Sequence, residues 1–106
     1  MDEPGPLDIG VSETGDTHTV RLRGELDLAS VPELAGVLQA MAGPKVVVDL
    51  SELTFIDSSG VSALVRTQQR LAAEDRSLVL ARPSGSVSRV FDILGISFLL
   101  DTDNSD

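Results

Sequence analysis

The residues with the clearest chemical potential lie at positions 57–60, where an apolar run ends in the sequence Asp-Ser-Ser-Gly. From Val61 onward the apolar residues recur at helical spacing, which predicts that this stretch is a loop that ends a strand unit and opens a helix. Hydroxyls and carboxylates at such a point accept hydrogen bonds from the free amides of the first helical turn. The helix dipole also favours negative charge there.

The same stretch holds more polar side chains than a helix cap requires. One side chain suffices for a cap, whereas Asp57, Ser58 and Ser59 stand together. Spacing alone leaves two interpretations open, a helix cap and nothing more, or a site for a phosphate. We expect the surplus hydroxyl to face solvent at the positive end of the helix, an environment that tolerates a phosphate.

An enzymatic interpretation of this stretch lacks the necessary partners. A serine nucleophile needs an adjacent general base, and His18 is the single histidine of the chain. The loop does not have the Gly-x-Ser-x-Gly form of a nucleophile elbow, and no glycine-rich phosphate loop appears elsewhere. The chain has no cysteine, so thiolate chemistry and cysteine-based metal sites are excluded. We therefore predict a non-enzymatic protein without a metal or cofactor.

Composition narrows the possible partners. The chain has 106 residues, enough for one domain, and 42% of them are apolar. Its net charge of −9 argues against nucleic acid and anionic membranes as partners. The apolar runs are too short to span a bilayer, and the first residues do not resemble a signal peptide. We expect a cytoplasmic protein that is monomeric when free. We also expect a single domain at residues 7–101, with tails at residues 1–6 and 102–106.

The hydrophobic pattern predicts the elements that position the focal stretch. Residues 7–12 and 18–23 alternate as two strands around a Gly15-Asp16 turn, typical of a hairpin. A capping box from Ser30 to Glu33 then opens a helix. The remaining predicted elements are a buried strand at 45–50, the helix after residue 60, a strand at 77–81, a helix at 87–94 and a strand at 96–100.

This order predicts an α/β fold. We expect a mixed sheet of about five strands, an antiparallel hairpin followed by parallel strands, with about three helices. The loops after the second and third strands then lie at the carboxyl edge of the sheet, where the sites of α/β proteins gather. Asp27 follows the second strand, so we expect it to share one surface with residues 57–59.

Four segments in this order resemble the STAS domain family, specifically the stand-alone bacterial anti-sigma factor antagonists. They are Gly-Glu-Leu-Asp at 24–27, Val-Val-Asp-Leu-Ser at 47–51, Phe-Ile-Asp-Ser-Ser-Gly-Val at 55–61 and Arg-Val-Phe-Asp-Ile-Leu-Gly-Ile at 89–96. The focal element is short by itself, but the four together span the chain from about residue 7 to residue 100.

The resemblance implies a partner-switching regulator. In that family the unphosphorylated protein binds an anti-sigma factor, usually also a serine kinase with the histidine-kinase-like ATPase fold, and so releases a sigma factor. The kinase phosphorylates the first hydroxyl residue after the loop aspartate, here Ser58, and a metal-dependent phosphatase reverses the reaction. Asp27 and Asp57 match acidic positions linked to docking and kinase recognition. With Ser58, Ser59 and Gly60 they form the candidate partner-binding site.

Some details depart from the family pattern or leave alternatives. Ser62 stands where close relatives often have glycine. Ser59 is the second candidate acceptor, although we expect it to cap the helix. Asp27 is expected on an exposed loop, the alternative being a structural cap in the turn before the Ser30 helix. The alternative function is a non-phosphorylated STAS scaffold or ligand-binding module in a stress-signalling assembly.

Overall fold

The structure is a computed structural model that describes the backbone of residues 7–101 and the side chains of residues 7–100. The predicted tails at 1–6 and 102–106 lie outside the described residues. The elements in chain order are β1 (Leu7–Thr14), β2 (Thr17–Leu26), α1 (Val31–Ala40), β3 (Lys45–Ile56), α2 (Ser58–Ala73), β4 (Ser77–Ala81), α3 (Gly85–Ile93), a 3₁₀ turn (Ser97–Leu99) and β5 (Leu100–Asp101).

The strands form one mixed sheet in the spatial order β1-β2-β3-β4-β5. β1 and β2 are antiparallel, and the other neighbouring pairs are parallel. Four strands are long enough to carry the sheet, and β5 adds only two residues at one edge. The predicted α/β class, the N-terminal hairpin and the three helices are confirmed.

All three helices lie on one face of the sheet. Each crossover from β2 to β5 moves one strand further in the same direction, and right-handed connections then place every helix on the same side. The opposite face carries exposed polar side chains such as Arg21, Arg23 and Glu52. The core between sheet and helices includes Val20, Leu22, Val48, Leu50 and Leu80 from the strands and Leu34, Leu38, Leu64, Leu71 and Phe91 from the helices.

The central strand β3 is longer than its neighbour β4. β4 pairs with β3 only from Lys45 to Asp49, whereas β2 follows β3 as far as the Leu26–Ile56 pair. The predicted strand at 45–50 was therefore too short, and residues 24–26, expected after the second strand, belong to β2. The two strands end side by side, and their next residues, Asp27 and Asp57, are carried to the same corner.

The last predicted strand, at 96–100, was wrong for most of its length. Gly95 adopts a φ of +75° and ends α3, after which residues 97–99 form a 3₁₀ turn. Phe98 is 79% exposed, and only Leu100 is buried in the core at the β4 edge. A short apolar run without alternation does not distinguish a strand from a helical turn, which explains the error.

Asp49 is a buried carboxylate on the helix-free face of the sheet. Its Oδ2 accepts a hydrogen bond from Nη2 of Arg82 at 2.8 Å, and its Oδ1 accepts one from the backbone N–H of Ser51 at 2.9 Å. Burial raises the pKa of Asp49, but the hydrogen bonds from Arg82 and Ser51 outweigh it and leave the pKa below its ordinary value. Arg82 has a φ of +53°, a backbone conformation that is unfavourable for residues other than glycine.

We expect Asp49→Asn to lower the free energy of unfolding by about 1 kcal/mol at neutral pH, because the hydrogen bond to Arg82 loses its charge. Since the folded-state pKa lies below the ordinary value of 3.8, the wild-type contribution is present above that value and is lost as pH falls below it. The difference between the two proteins should therefore shrink below about pH 4. Urea unfolding from pH 7 to pH 3 measures this, and a constant difference would contradict it.

Candidate functional site

The carboxylate of Asp57 joins two segments that are far apart in the chain. Its Oδ1 accepts a hydrogen bond from the backbone N–H of Gly60 at 2.9 Å and so caps α2. Its Oδ2 accepts one from the backbone N–H of Leu28 at 3.3 Å. The N–H of Asp57 itself donates to the carbonyl of Leu26 at 3.2 Å. The N-terminus of α2 is therefore attached to the turn between β2 and α1.

That turn is organised by Asp27 and Ser30. Oδ1 of Asp27 accepts hydrogen bonds from the backbone N–H groups of Ala29 and Ser30, each at 3.1 Å. The hydroxyl of Ser30 is buried and lies 3.1 Å from the same oxygen. The predicted capping box from Ser30 to Glu33 is wrong, because Ser30 makes no side-chain cap bond to α1 and bonds back into the turn instead.

Asp27 therefore differs from the expected residue on an exposed loop. It is half-buried, and its carboxylate accepts hydrogen bonds from donors in its own turn. Its backbone carbonyl also accepts from the N–H groups of Ser30 and Val31, both at 3.0 Å. The geometry corresponds to the structural alternative, a cap in the turn before α1. The expected juxtaposition of Asp27 with residues 57–59 is confirmed, since Asp57 is hydrogen-bonded to the adjacent Leu28.

The two serines of the focal stretch occupy different environments. Ser58 is the first residue of α2 and is exposed, whereas Ser59 is half-buried. The prediction that Ser59 caps the helix is wrong, because Asp57 already occupies the cap position and bonds to the third residue of the helix. The exposed hydroxyl of Ser58 lies at the positive end of a helix of 16 residues.

Gly60 lies beneath this surface. It is buried, and a Cβ atom at this position would lie 2.8 Å from Cγ of Leu26 and 2.9 Å from Cγ1 of Ile56. The first turn of α2 thus approaches the ends of β2 and β3 more closely than any side chain permits. Gly60 contributes to the candidate surface by placing Ser58, not by offering a contact of its own.

Two exposed apolar residues flank the site and were missed in the sequence analysis. Leu28 is 72% exposed in the turn that Asp57 holds, and Phe55 is 47% exposed two residues before Asp57. A leucine within a polar turn was an available signal, because turns are usually built from small and polar residues. Phe55 gave no such signal, since it looks like part of a buried strand.

The described residues can also be compared with the requirements of a histidine-assisted catalytic site, a metal site and a membrane-spanning helix. His18 pairs with Val46 near the start of β3, and the eight residue steps from His18 to Leu26 span about 26 Å along β2. His18 is therefore too far from Ser58 to act as its base. No cluster of three potential metal ligands occurs among the described residues. No helix in that part of the chain is both long and apolar enough to cross a membrane.

Comparisons with known proteins agree with the observed fold. A family model described as "Mlab, STAS domain" matches residues 9–101. The chain therefore belongs to the STAS domain family. It is also 34% identical over 97 residues to the anti-sigma-B factor antagonist of Staphylococcus epidermidis, and the match covers 89% of this chain and 90% of that protein.

Two solved structures show the same fold in a relative. The anti-sigma factor antagonist SpoIIAA in its unphosphorylated form matches with a TM-score of 0.71 and 26% identity, over 88% of this chain and 85% of that chain. The Bacillus cell fate determinant SpoIIAA in the phosphorylated form matches with a TM-score of 0.70 and 26% identity, over 88% of both chains.

We expect Gly60→Ala to lower the free energy of unfolding by about 1–3 kcal/mol, because the added methyl group overpacks the contact with Leu26 and Ile56. Gly36→Ala is the matched control, since nothing lies within 4 Å of a Cβ there and α1 gains helix propensity. Chemical denaturation of both variants measures the effect. Equal stability of the two variants would show that α2 does not need this close approach.

Proposed function

We propose that this protein is a non-enzymatic anti-sigma factor antagonist that is switched off by phosphorylation of Ser58. In its unphosphorylated form it binds an anti-sigma factor in the cytoplasm and thereby releases a sigma factor. The anti-sigma factor is a serine kinase with the histidine-kinase-like ATPase fold, and a metal-dependent phosphatase restores the active form. The docking surface consists of Asp27, Asp57, Ser58 and Ser59, placed by Gly60, and free protein is monomeric.

The exposed position of Ser58 is the observation that carries this proposal. A kinase must reach the hydroxyl, and Ser58 is exposed while Ser59 is half-buried. Asp57 performs the capping role, so the hydroxyl of Ser58 is not needed for the helix. The named relatives, an anti-sigma-B factor antagonist and SpoIIAA, support the same class of partner.

The position of Ser58 also favours a switch without refolding. A phosphate adds about −1.5 to −2 charges at neutral pH, and the dipole of α2 stabilises negative charge at its first turn. The chain matches the unphosphorylated and phosphorylated forms of SpoIIAA with similar TM-scores, 0.71 and 0.70. Phosphate on Ser58 would act on the partner surface, through added charge beside Asp57 and added bulk.

We expect Ser58→Ala to bind the anti-sigma factor as tightly as the unphosphorylated protein, and Ser58→Asp to bind at least ten times more weakly. The alanine variant keeps the uncharged surface, whereas the aspartate adds a negative charge beside Asp57. Isothermal titration calorimetry against each purified anti-sigma factor of the source organism measures both affinities. Thermal unfolding of the variants checks that the fold is retained.

Site-resolved mass spectrometry after incubation with the partner and ATP completes this test. Phosphate on Ser58 in the wild type and its absence in Ser58→Ala are the expected results, and Ser59→Ala is the matched control. Equal affinity of Ser58→Ala and Ser58→Asp would contradict the switch. Absence of phosphate on Ser58 both in this incubation and in protein isolated from cells grown under several conditions would favour the scaffold or ligand-binding alternative.

Two substitutions at Asp27 separate its structural role from its charge. Asp27→Ala removes the acceptor for the N–H groups of Ala29 and Ser30, and we expect it to lower the free energy of unfolding by about 1 kcal/mol. Asp27→Asn keeps an acceptor oxygen and should retain most of that stability. If the charge also contributes to docking, both variants bind the anti-sigma factor more weakly. If Asp27→Asn binds with full affinity, the role of Asp27 is limited to stabilising the turn.

A further inference from the structure

A groove separates the end of β3 from the first turns of α3. It has a volume of about 300 Å³ and is lined by residues 54–56 of β3 and by Gly85, Ser86, Arg89 and Val90 of α3. One wall is therefore the edge of a strand, and the other wall is the side of a helix. Phe55, which is 47% exposed, provides apolar surface in the groove.

The strand wall of this groove has no strand partner in the described part of the chain. Pairing of β4 with β3 ends at Asp49, and residues 51–56 continue beyond it with β2 on one side only. Ser84 satisfies two carbonyls near the break, since its N–H donates to Leu50 and its hydroxyl donates to Leu53. Among residues 7–101, the strand beyond Leu53 therefore has no partner on this side, and unpaired strand edges accept an added strand.

The charge in the groove indicates the chemistry of a ligand. Arg89 is the only charged residue among the seven that line it. It is exposed, and it forms no salt bridge with any residue between 7 and 100. Although the chain as a whole has a net charge of −9, Arg89 gives the groove a local positive charge that attracts a carboxylate. An extended acidic segment would pair its backbone with β3, place an apolar side chain against Phe55 and present a carboxylate to Arg89.

We infer that this groove is a second docking site for the anti-sigma factor, which adds an extended acidic segment of its own to the open edge of β3. The inference rests on the proposed function. The groove adjoins the proposed docking surface along the chain, because Ile56 lines it and Asp57 and Ser58 follow directly. A partner bound at Ser58 therefore has the strand edge within reach of the same contact.

Filling the groove tests the inference. Nothing lies within 4 Å of a Cβ placed at Gly85, so Gly85→Leu projects into the groove without disturbing the core. We expect it to weaken binding of the anti-sigma factor at least tenfold in calorimetry. Gly36→Leu is the matched control, because Gly36 also faces open space but lies in α1. Its affinity should equal that of the wild type.

A charge reversal and a backbone measurement complete the test. Arg89→Glu should also weaken binding at least tenfold, whereas Arg70→Glu, in the last turn of α2, should not. Hydrogen exchange of the wild-type complex should show slower exchange of amides in residues 51–56 than in the free protein. Slower exchange without an effect of Gly85→Leu or Arg89→Glu would overturn the groove as the docking site.

The possible failures are distinguishable. If no anti-sigma factor binds the wild type, the proposed function fails. If the wild type binds and responds to Ser58→Asp while Gly85→Leu and Arg89→Glu bind normally, only this inference fails. Two results would indicate another occupant. If Gly85→Leu abolished self-association of the free protein in sedimentation, the occupant would be a second copy of this chain. If deletion of residues 102–106 sped up hydrogen exchange at residues 51–56, the occupant would be the chain's own C-terminal segment. Either result would overturn the proposed partner.

Discussion

The geometry of the site depends on one carboxylate with two separate partners. Oδ1 of Asp57 holds the N–H of Gly60 and Oδ2 holds the N–H of Leu28. The first bond starts a helix, and the second attaches a turn that begins 30 residues earlier. Hydrogen bonds to a charged acceptor contribute about 1.5–3 kcal/mol each when well formed. The surface around Ser58 is therefore built from two loops that these bonds join within the free chain.

This arrangement separates the helix cap, Asp57, from the proposed phosphorylation site, Ser58. If a serine capped α2, a phosphate on that serine would compete with the cap and weaken the helix. Asp57 is the cap, so Ser58 can change its charge without loss of a hydrogen bond to the helix. Gly60 completes the separation, because it lets α2 begin directly against Leu26 and Ile56. The serine is thereby placed at the surface by Asp57 and Gly60, whose contacts do not involve its hydroxyl.

The sequence was sufficient for the parts of the structure that follow from periodicity. The strand and helix alternation predicted the sheet, and the carboxyl-edge rule brought Asp27 and Asp57 together. Hydrogen bonding was harder to predict, because Asp, Ser and Ser in a row offer three possible caps and propensity barely distinguishes them. The error at Ser30 has the same origin, since its hydroxyl has competing partners within five residues, in Asp27 and Glu25 on one side and the first turn of α1 on the other. The 3₁₀ turn at 97–99 depends on how far β5 reaches along β4, which no local pattern contains.

Electrostatic magnitudes show that the proposed phosphorylation of Ser58 needs no change of fold to alter binding. A hundredfold change in affinity corresponds to about 2.8 kcal/mol. Two unit charges about 5 Å apart at an effective dielectric constant of about 20 interact by about 3 kcal/mol, and a phosphate carries more than one charge. One acidic group on a partner opposite Ser58 is therefore enough for such a change. Refolding of α2 is not required, and it would work against the helix dipole that stabilises the phosphate. The proposed switch can thus act through the charge at the contact with the partner.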